Sequence, residues 1–255
     1  MTSLTSTRMN PADLWDLCVP LLWDDNYISS LEGLLRENCI TTILDCGGGT
    51  GFPAIGLRAN GWKVSYVDKS NEMLETFQGN CTRHNVHIPT YQADWLQLSN
   101  VLDDRFDAVL CRGNSLVYVA SWGDNCLAPN SRTLVQQAIQ QFYLSLNQGG
   151  LLYIDLMAAH EYDRSAYPLR KVINGATGDG RPVKITWEVS HDYISRSRSW
   201  RTIVEQGDEV YDQTYVSYLL RHDELLSDLH AAGFRRVVRR QFEGENSYDV
   251  FLAYK

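Results

Sequence analysis

The chain has 255 residues, 44% of them apolar, and a formal net charge of −8 at pH 7. That length and apolar share suit one large domain, or one domain with an elaborate insertion, and supply a sizeable core. The acidic balance argues against an electrostatic nucleic-acid binder, which carries a basic footprint, and no apolar stretch is long enough to span a bilayer.

The opening MTSLTSTRMNPADLW lacks the apolar region of a secretory signal. The six cysteines form no C-x-x-C pair, so reduced thiols in a cytoplasmic protein are expected rather than a zinc knuckle or disulfide frame. Residues 1–10 are rich in Ser and Thr and expected to fray. Between Pro11 and Asn38, Leu14, Leu17 and Leu21, then Leu31, Leu34 and Leu35, recur at helical spacing. Two helices are predicted, broken between Pro20 and Tyr27.

Strands and helices then alternate. Strands are predicted at Thr42–Cys46, Lys63–Val67, His87–Gln92, Phe106–Cys111 and Leu151–Asp155. Helices are predicted over Phe52–Asn60, closed by Gly61, from Ser70 to Asn80 or beyond, and over Ser131–Leu146, ended by Gly149-Gly150. From residue 165 to 220 the pattern changes to period two, in Val183–Val189, Ser199–Val204 and Gln213–Leu220, as in antiparallel strands. A helix returns at Asp223–Ala232, capped by Gly233. Arg235–Gln241 and Ser247–Ala253, joined by Glu243-Gly244-Glu245-Asn246, read as a terminal hairpin.

The predicted class is therefore α/β: a doubly wound, seven-stranded, mostly parallel sheet with a C-terminal antiparallel hairpin and an inserted antiparallel sub-sheet. Residues 1–38 form a helical lid, 39–164 with 221–255 the ligand-binding core, and 165–220 strands covering a substrate site.

Chemistry concentrates where the first strand breaks into Gly47-Gly48-Gly49-Thr50-Gly51. Glycines allow close approach of backbone to a ligand and positive φ. Asp68, at the tip of the next strand, suits ribose hydroxyls. Two ligands compete. Gly49-Thr-Gly51-Phe-Pro-Ala54 fits the dinucleotide pattern G-x-G-x-x-A, and Asp45 precedes the glycines in D-x-G-x-G-T-G.

The second pattern resembles the first motif of class I S-adenosylmethionine-dependent methyltransferases. Three segments resemble the glycine/sarcosine N-methyltransferase branch: Ala93-Asp94-Trp95-Leu96, Asp107-Ala-Val-Leu-Cys-Arg-Gly-Asn-Ser115 and Gly149-Gly-Leu-Leu-Tyr-Ile-Asp155. The resemblance implies S-adenosyl-L-methionine as cofactor. It places Gly47, Gly49 and Gly51 under the methionine part, Asp45 at its amino group and Asp68 at both ribose hydroxyls. Met73, Asp94 and Trp95 would surround the adenine.

Two departures stand out. The substrate-gripping Arg of glycine-using members falls on Met157, which cannot hold a carboxylate bidentately. The Arg for the cofactor carboxylate falls on Trp23, with Arg112 a candidate to serve instead. The expected activity is thus N-methylation of a small amine, guanidine or amino-acid derivative other than simple glycine, by in-line transfer. The expected catalytic residues are Asn114, His160 and Tyr27. The expected substrate contacts are Asn114, Met157, His191, Tyr193, Tyr215 and Tyr218, with Tyr118 and Trp187 as further aromatic candidates. An O-methyltransferase of the same fold, or a cofactor-binding module without turnover, remain alternatives. His84-x-x-His87 has no third ligand nearby, so no metal is expected. Arg235-Arg236 and Arg239-Arg240 read as a solvated strand face rather than a nucleic-acid patch. The expected partner is a small molecule, with no membrane, and with the N-terminal helices available for a homo-oligomer.

Overall fold

The structure is a computed structural model that describes residues 10–24, 26–121, 126–162, 168–176, 180–245 and 247–255. Of residues 1–10, expected to fray, 1–9 lie outside the described residues, as does Asn246 of the expected hairpin turn; Asn10 is ordered as a helix cap.

Two helices open the chain, α1 (Pro11–Leu22) and α2 (Asn26–Glu37). Asn10 caps α1 by accepting the Ala12 N–H at 2.8 Å, with Pro11 in the first turn where its missing N–H costs nothing. Five strands and four helices alternate next. They are β1 (Thr42–Cys46), α3 (Ala54–Ala59), β2 (Lys63–Asp68), α4 (Asn71–Arg83), β3 (Thr90–Gln92), the short α5 (Leu98–Val101), β4 (Phe106–Cys111), α6 (Ser131–Ser145) and β5 (Leu146–Met157). Strands β6 (Leu169–Ala176), β7 (Pro182–Asp192), β8 (Ser197–Gln206) and β9 (Glu209–Tyr218) follow. The chain closes with α7 (His222–Ala232), β10 (Arg236–Arg240) and β11 (Tyr248–Tyr254).

The main sheet has seven strands in the order β10-β11-β5-β4-β1-β2-β3. β1 to β5 pair in parallel, and β11 runs antiparallel to both β5 and β10. Strand order reverses between β1 and β4, which opens a crevice at their carboxyl ends. Central strands bury both faces, so alternate side chains feed two cores. Ile43, Tyr66, Leu110 and Tyr153 pack against α1 to α4, and Leu44, Val67, Val109 and Ile154 against α6 and α7.

The second sheet has the order β6-β7-β8-β9, antiparallel throughout. Its two faces differ in chemistry. One carries Val183, Ile185, Trp187 and Val204 into the core beside Leu14 and Cys18 of α1. The other carries an ion-pair ladder through Arg170, Glu188, Arg201 and Asp212, with contacts of 3.7, 3.0 and 2.6 Å.

Besides shifts at element ends and the short α5, which has no predicted counterpart, the elements depart from sequence expectation in three places. Gly149-Gly150 does not end a helix. It sits inside β5, where the β4 register slips between Phe106 and Ala108, and a Cβ on Gly150 would lie 2.9 Å from the Asn147 carbonyl. β6 was not foreseen, because it is an exposed edge strand without apolar alternation. β3 is shorter than expected and begins after Pro89, which has no N–H for a ladder.

Asp107 fastens the starts of β1 and β4 together. Its Oδ2 accepts the N–H groups of Thr41 and Thr42, each at 3.0 Å, and its Oδ1 accepts from Asn147 at 2.8 Å. Partial burial pushes its carboxyl up, but these donors outweigh that and hold it well below the usual carboxylate range. A depressed folded-state pKa stabilises the fold above the unfolded value and is lost as pH falls through the folded one. Asp107→Ala is therefore expected to cost about 2 kcal/mol near neutral pH. Urea unfolding should show the gap from the parent narrowing below about pH 4; an equal gap at every pH would contradict this role.

Candidate active site

The crevice at the strand reversal opens into a cavity of about 300 Å³, at the small end of ligand pockets. Its floor is the turn after β1. Gly47 and Gly49 hold φ of +68° and +60°, and the Gly47 N–H donates to the Val67 carbonyl at 2.8 Å, tying the turn to β2. Both glycines are required sterically. A Cβ on Gly47 would lie 2.6 Å from the Trp95 ring, and one on Gly49 would lie 2.3 Å from the Trp15 indole. Gly51 is not on the cavity wall. Its α-carbon packs inward on Ile55 and Phe77, so its glycine serves the fold.

Asp45 lies fully buried beneath this turn, against Gly48. It does not reach the cavity wall. Neither carboxylate oxygen has a hydrogen-bond partner among the described residues. Burial pushes its carboxyl up to about 7, despite the opposing charge of Arg112.

Beside the turn, on the neighbouring strand, Asp68 ends β2 on the cavity wall. Its Oδ1 accepts the Ser70 N–H at 2.9 Å and its Oδ2 accepts the Tyr66 hydroxyl at 3.2 Å. Burial raises it to about 6. The same single hydroxyl proton is shared with the Gly49 carbonyl, the nearer acceptor, so one phenol bridges both halves of the site. Met73, in the first turn of α4 under the Ser70 cap, lines the cavity, as do Asp94 and Trp95. Asp94 also caps its own turn through the Leu96 N–H at 3.0 Å and lies 3.8 Å from Lys69 Nζ.

β4 ends in Arg112-Gly113-Asn114. Gly113 and Asn114 line the cavity, and Arg112 does not. The Arg112 guanidinium turns away into an aromatic cage, 4.8, 5.0 and 5.3 Å from the rings of Trp23, Tyr27 and Phe52. It donates to the Phe52 carbonyl at 2.6 Å. Tyr27 belongs to this cage. It is completely buried, donates to the Tyr153 hydroxyl at 3.0 Å and has no face on the cavity. Both expectations, Tyr27 at the reacting atoms and Arg112 at the cofactor, are thus not met by the geometry. Position 23 carries Trp, which packs against the guanidinium rather than supplying one.

The far wall is the inner face of the second sheet. Trp187, Val189, Arg198 and Trp200 line it, facing Tyr118, Tyr248 and the exposed His160. Arg198 is 8% exposed and donates to the Tyr118 hydroxyl at 3.0 Å. Four expected substrate contacts stand off this wall. His191 pairs in register with Arg198, and burial and that charge hold it down at about 4. Tyr193 packs edge-on against His191, 6.0 Å away. Tyr215 lies beside its cross-strand partner Trp200, 5.6 Å away, off the cavity wall, and donates to Gln213. Tyr218 carries Arg196 over its ring at 5.4 Å. Met157 is also displaced from the wall. Its side chain is 1% exposed, and its backbone N–H serves Asn114 Oδ1 at 3.3 Å.

Sequence reasoning missed Trp15, Trp200, Arg198 and Tyr248 on the wall, and Tyr66 and Asp155 behind it. The only available signal was the two-residue spacing of Arg198 and Trp200, which puts them on one face without saying which. Among the described residues no cluster of His, Cys, Asp and Glu could hold a metal ion. No helix of the described residues is long and apolar enough to cross a membrane.

Comparison with known proteins bears on the fold that carries this site. Residues 43–150 match the family model described as a methyltransferase domain. A glycine/sarcosine N-methyltransferase from Aphanothece halophytica is 35% identical over 142 residues, covering 52% of this chain and 50% of that protein. The chain thus spans about half the length of the curated relatives it matches. Among solved structures, Streptomyces venezuelae DesVI superposes with a TM-score of 0.74 at 17% identity, over 97% of this chain and 99% of that one. SAM-bound CalS10, an amino pentose methyltransferase from Micromonospora echinaspora, gives 0.71 at 16%, over 98% of both. The fold expected from the sequence and the resemblance to class I S-adenosylmethionine-dependent methyltransferases are both borne out.

Gly49→Ala should drive Trp15 off the turn and cost about 1–2 kcal/mol for its positive φ alone. Tryptophan emission would shift to the red and urea unfolding would move down. Unchanged emission would mean that Trp15 does not cover Gly49.

Proposed function

We propose that the cavity binds S-adenosyl-L-methionine and that the chain methylates a nitrogen of a small acceptor larger than glycine. One observation carries this reading: beside the strand reversal, a turn without side chains at the tip of β1 adjoins a carboxylate, Asp68, at the tip of the neighbouring strand β2, and both line the same cavity. The residues present fit the cofactor. Gly47 and Gly49 present bare backbone to its amino-acid end once the Trp95 and Trp15 rings that cover them give way, and Asp45, a buried carboxylate with no partner among the described residues, stands behind that turn and off the cavity wall, so it acts on the ammonium group through water. Asp68 accepts from the ribose hydroxyls, while Met73 and Trp95 flank the adenine, with Asp94 at its amino group.

Bound there, the cofactor supplies an electrophilic methyl on a sulfonium. The protein's task is placement. An amine that has lost its proton to solvent needs only to be held with its lone pair in line, which is a proximity effect. Asn114 and the Tyr118 hydroxyl sit on the wall for orientation, and aromatic faces of Trp187, Trp200 and Tyr248 shelter positive charge. The Arg198 guanidinium on the same wall favours an amino-acid derivative among the acceptors considered, since it binds carboxylates well. The activities for which the relatives are named, N-methylation of glycine and sarcosine, support nitrogen over oxygen.

Calorimetry with S-adenosyl-L-homocysteine tests the cofactor half. Asp68→Ala is expected to weaken binding roughly 10- to 100-fold. Parental affinity should fall as pH drops below about 6, because protonation turns an acceptor oxygen of Asp68 into a donor. The acceptor half is tested by mass spectrometry with isotope-labelled cofactor and amino acids paired with their decarboxylated amines. Methylation of amino-acid derivatives over the matched amines is expected, and no binding of S-adenosyl-L-homocysteine would end the proposal.

A further inference from the structure

Asp155 is completely buried in β5 and does not reach the cavity, yet both of its oxygens are committed to the cavity wall. In the parallel ladder Cys111 lies beside Ile154, which places Asp155 alongside the turn that ends β4. Its Oδ2 accepts the Gly113 N–H at 2.9 Å and its Oδ1 accepts the Asn114 N–H at 2.6 Å. Both turn residues hold positive φ, +69° and +58°. For Asn114 that conformation is uncommon, and it persists only where the surroundings enforce it. Without the carboxylate, two inward-facing N–H groups would lose their acceptor.

The same strand grips Asn114 a second time. The Met157 N–H donates to Asn114 Oδ1 at 3.3 Å, which fixes which end of the amide faces inward. The Nδ2 group donates to no described residue, and Asn114 is part of the cavity wall. Asn114 therefore offers the cavity a hydrogen-bond donor. It cannot act as a base. Arg112 does not compete for the carboxylate, because it forms no ion pair with Asp155 and gives its hydrogen bond to Phe52.

Resting on the reading of the site as a methyl-transfer centre, we infer that Asp155 is a positioning residue. It locks the Gly113-Asn114 turn so that Asn114 Nδ2 holds a hydrogen-bond-accepting group of the acceptor molecule next to its reacting nitrogen. The charge matters, because two N–H donors need two acceptor oxygens. An asparagine at 155 would meet one of them with its own NH2 group.

The test uses the full chain and the variants Asp155→Asn, Asp155→Glu, Asn114→Ala and Asp155→Asn with Asn114→Ala. Amide spectra of the parent saturated with S-adenosyl-L-homocysteine should show the Gly113 and Asn114 protons far downfield, and Asp155→Asn should return both to the ordinary range. Affinity for S-adenosyl-L-homocysteine should change by less than about threefold, while kcat/KM for the best methyl acceptor of the panel falls about tenfold or more. The double variant should be no slower than Asn114→Ala alone, since a residue acting through another does not add to its loss. If Asp155→Asn does not fold, Asp155→Glu keeps the charge but shifts the turn, and the same split between cofactor affinity and kcat/KM is expected. Unmoved amides, an unchanged kcat/KM, or losses that multiply in the double variant would overturn the inference. A parent that binds S-adenosyl-L-homocysteine but methylates no member of the panel would instead refute the acceptor reading, and the amide spectra would still decide whether the clamp exists.

Discussion

The structure depends on one steric constraint: backbone must pass beneath two indole rings with no room for a side chain. Trp95 presses on Gly47 and Trp15 on Gly49, each closer to the α-carbon than any Cβ would allow. That crowding forces glycine and positive φ at the tip of β1, and it leaves the turn's polar backbone as the floor of a cavity. The position is dictated by topology. Only where strand order reverses, between β1 and β4, do loops diverge and leave a crevice.

The fold spends its carboxylates unevenly. Asp107 and Asp228 are fully employed in structure: Asp107 fastens the starts of β1 and β4, and Asp228 takes Arg132 and Gln136 between α7 and α6. Asp155 is employed too, on the wall of the site. Asp45 and Arg112 differ. They are buried opposite charges near one another that form no ion pair, and Asp45 meets no hydrogen-bond donor among the described residues. A buried carboxylate in that state is costly, and a pKa raised to about 7 expresses the cost.

How much could be read from sequence follows from what each residue type reports. Glycines at fixed spacing after an apolar run, and an acid at the next strand tip, are local signals, and β1, β4 and Asp68 stand where they were expected. Tertiary facts were not legible. Tyr27 looked like a catalytic phenol, but an apolar stripe cannot say that a hydroxyl will be sealed against Tyr153. Arg112 looked like a ligand for an anion, but three rings from separate segments, brought together only by folding, enclose it. In the second sheet period two was visible, and His191 and Tyr215 share a face with their cross-strand partners Arg198 and Trp200; the pattern does not tell which member of each pair reaches the cavity, and Arg198 and Trp200 do.

The most direct measurement of the central claim is a crystal structure of the chain soaked with S-adenosyl-L-homocysteine. The account predicts density with both ribose hydroxyls on the Asp68 carboxylate, the adenine between Met73 and Trp95, and the amino-acid end along Gly47 to Gly49. A ligand seated elsewhere, or a turn still covered by Trp15 with the cavity empty at saturating concentration, would contradict it.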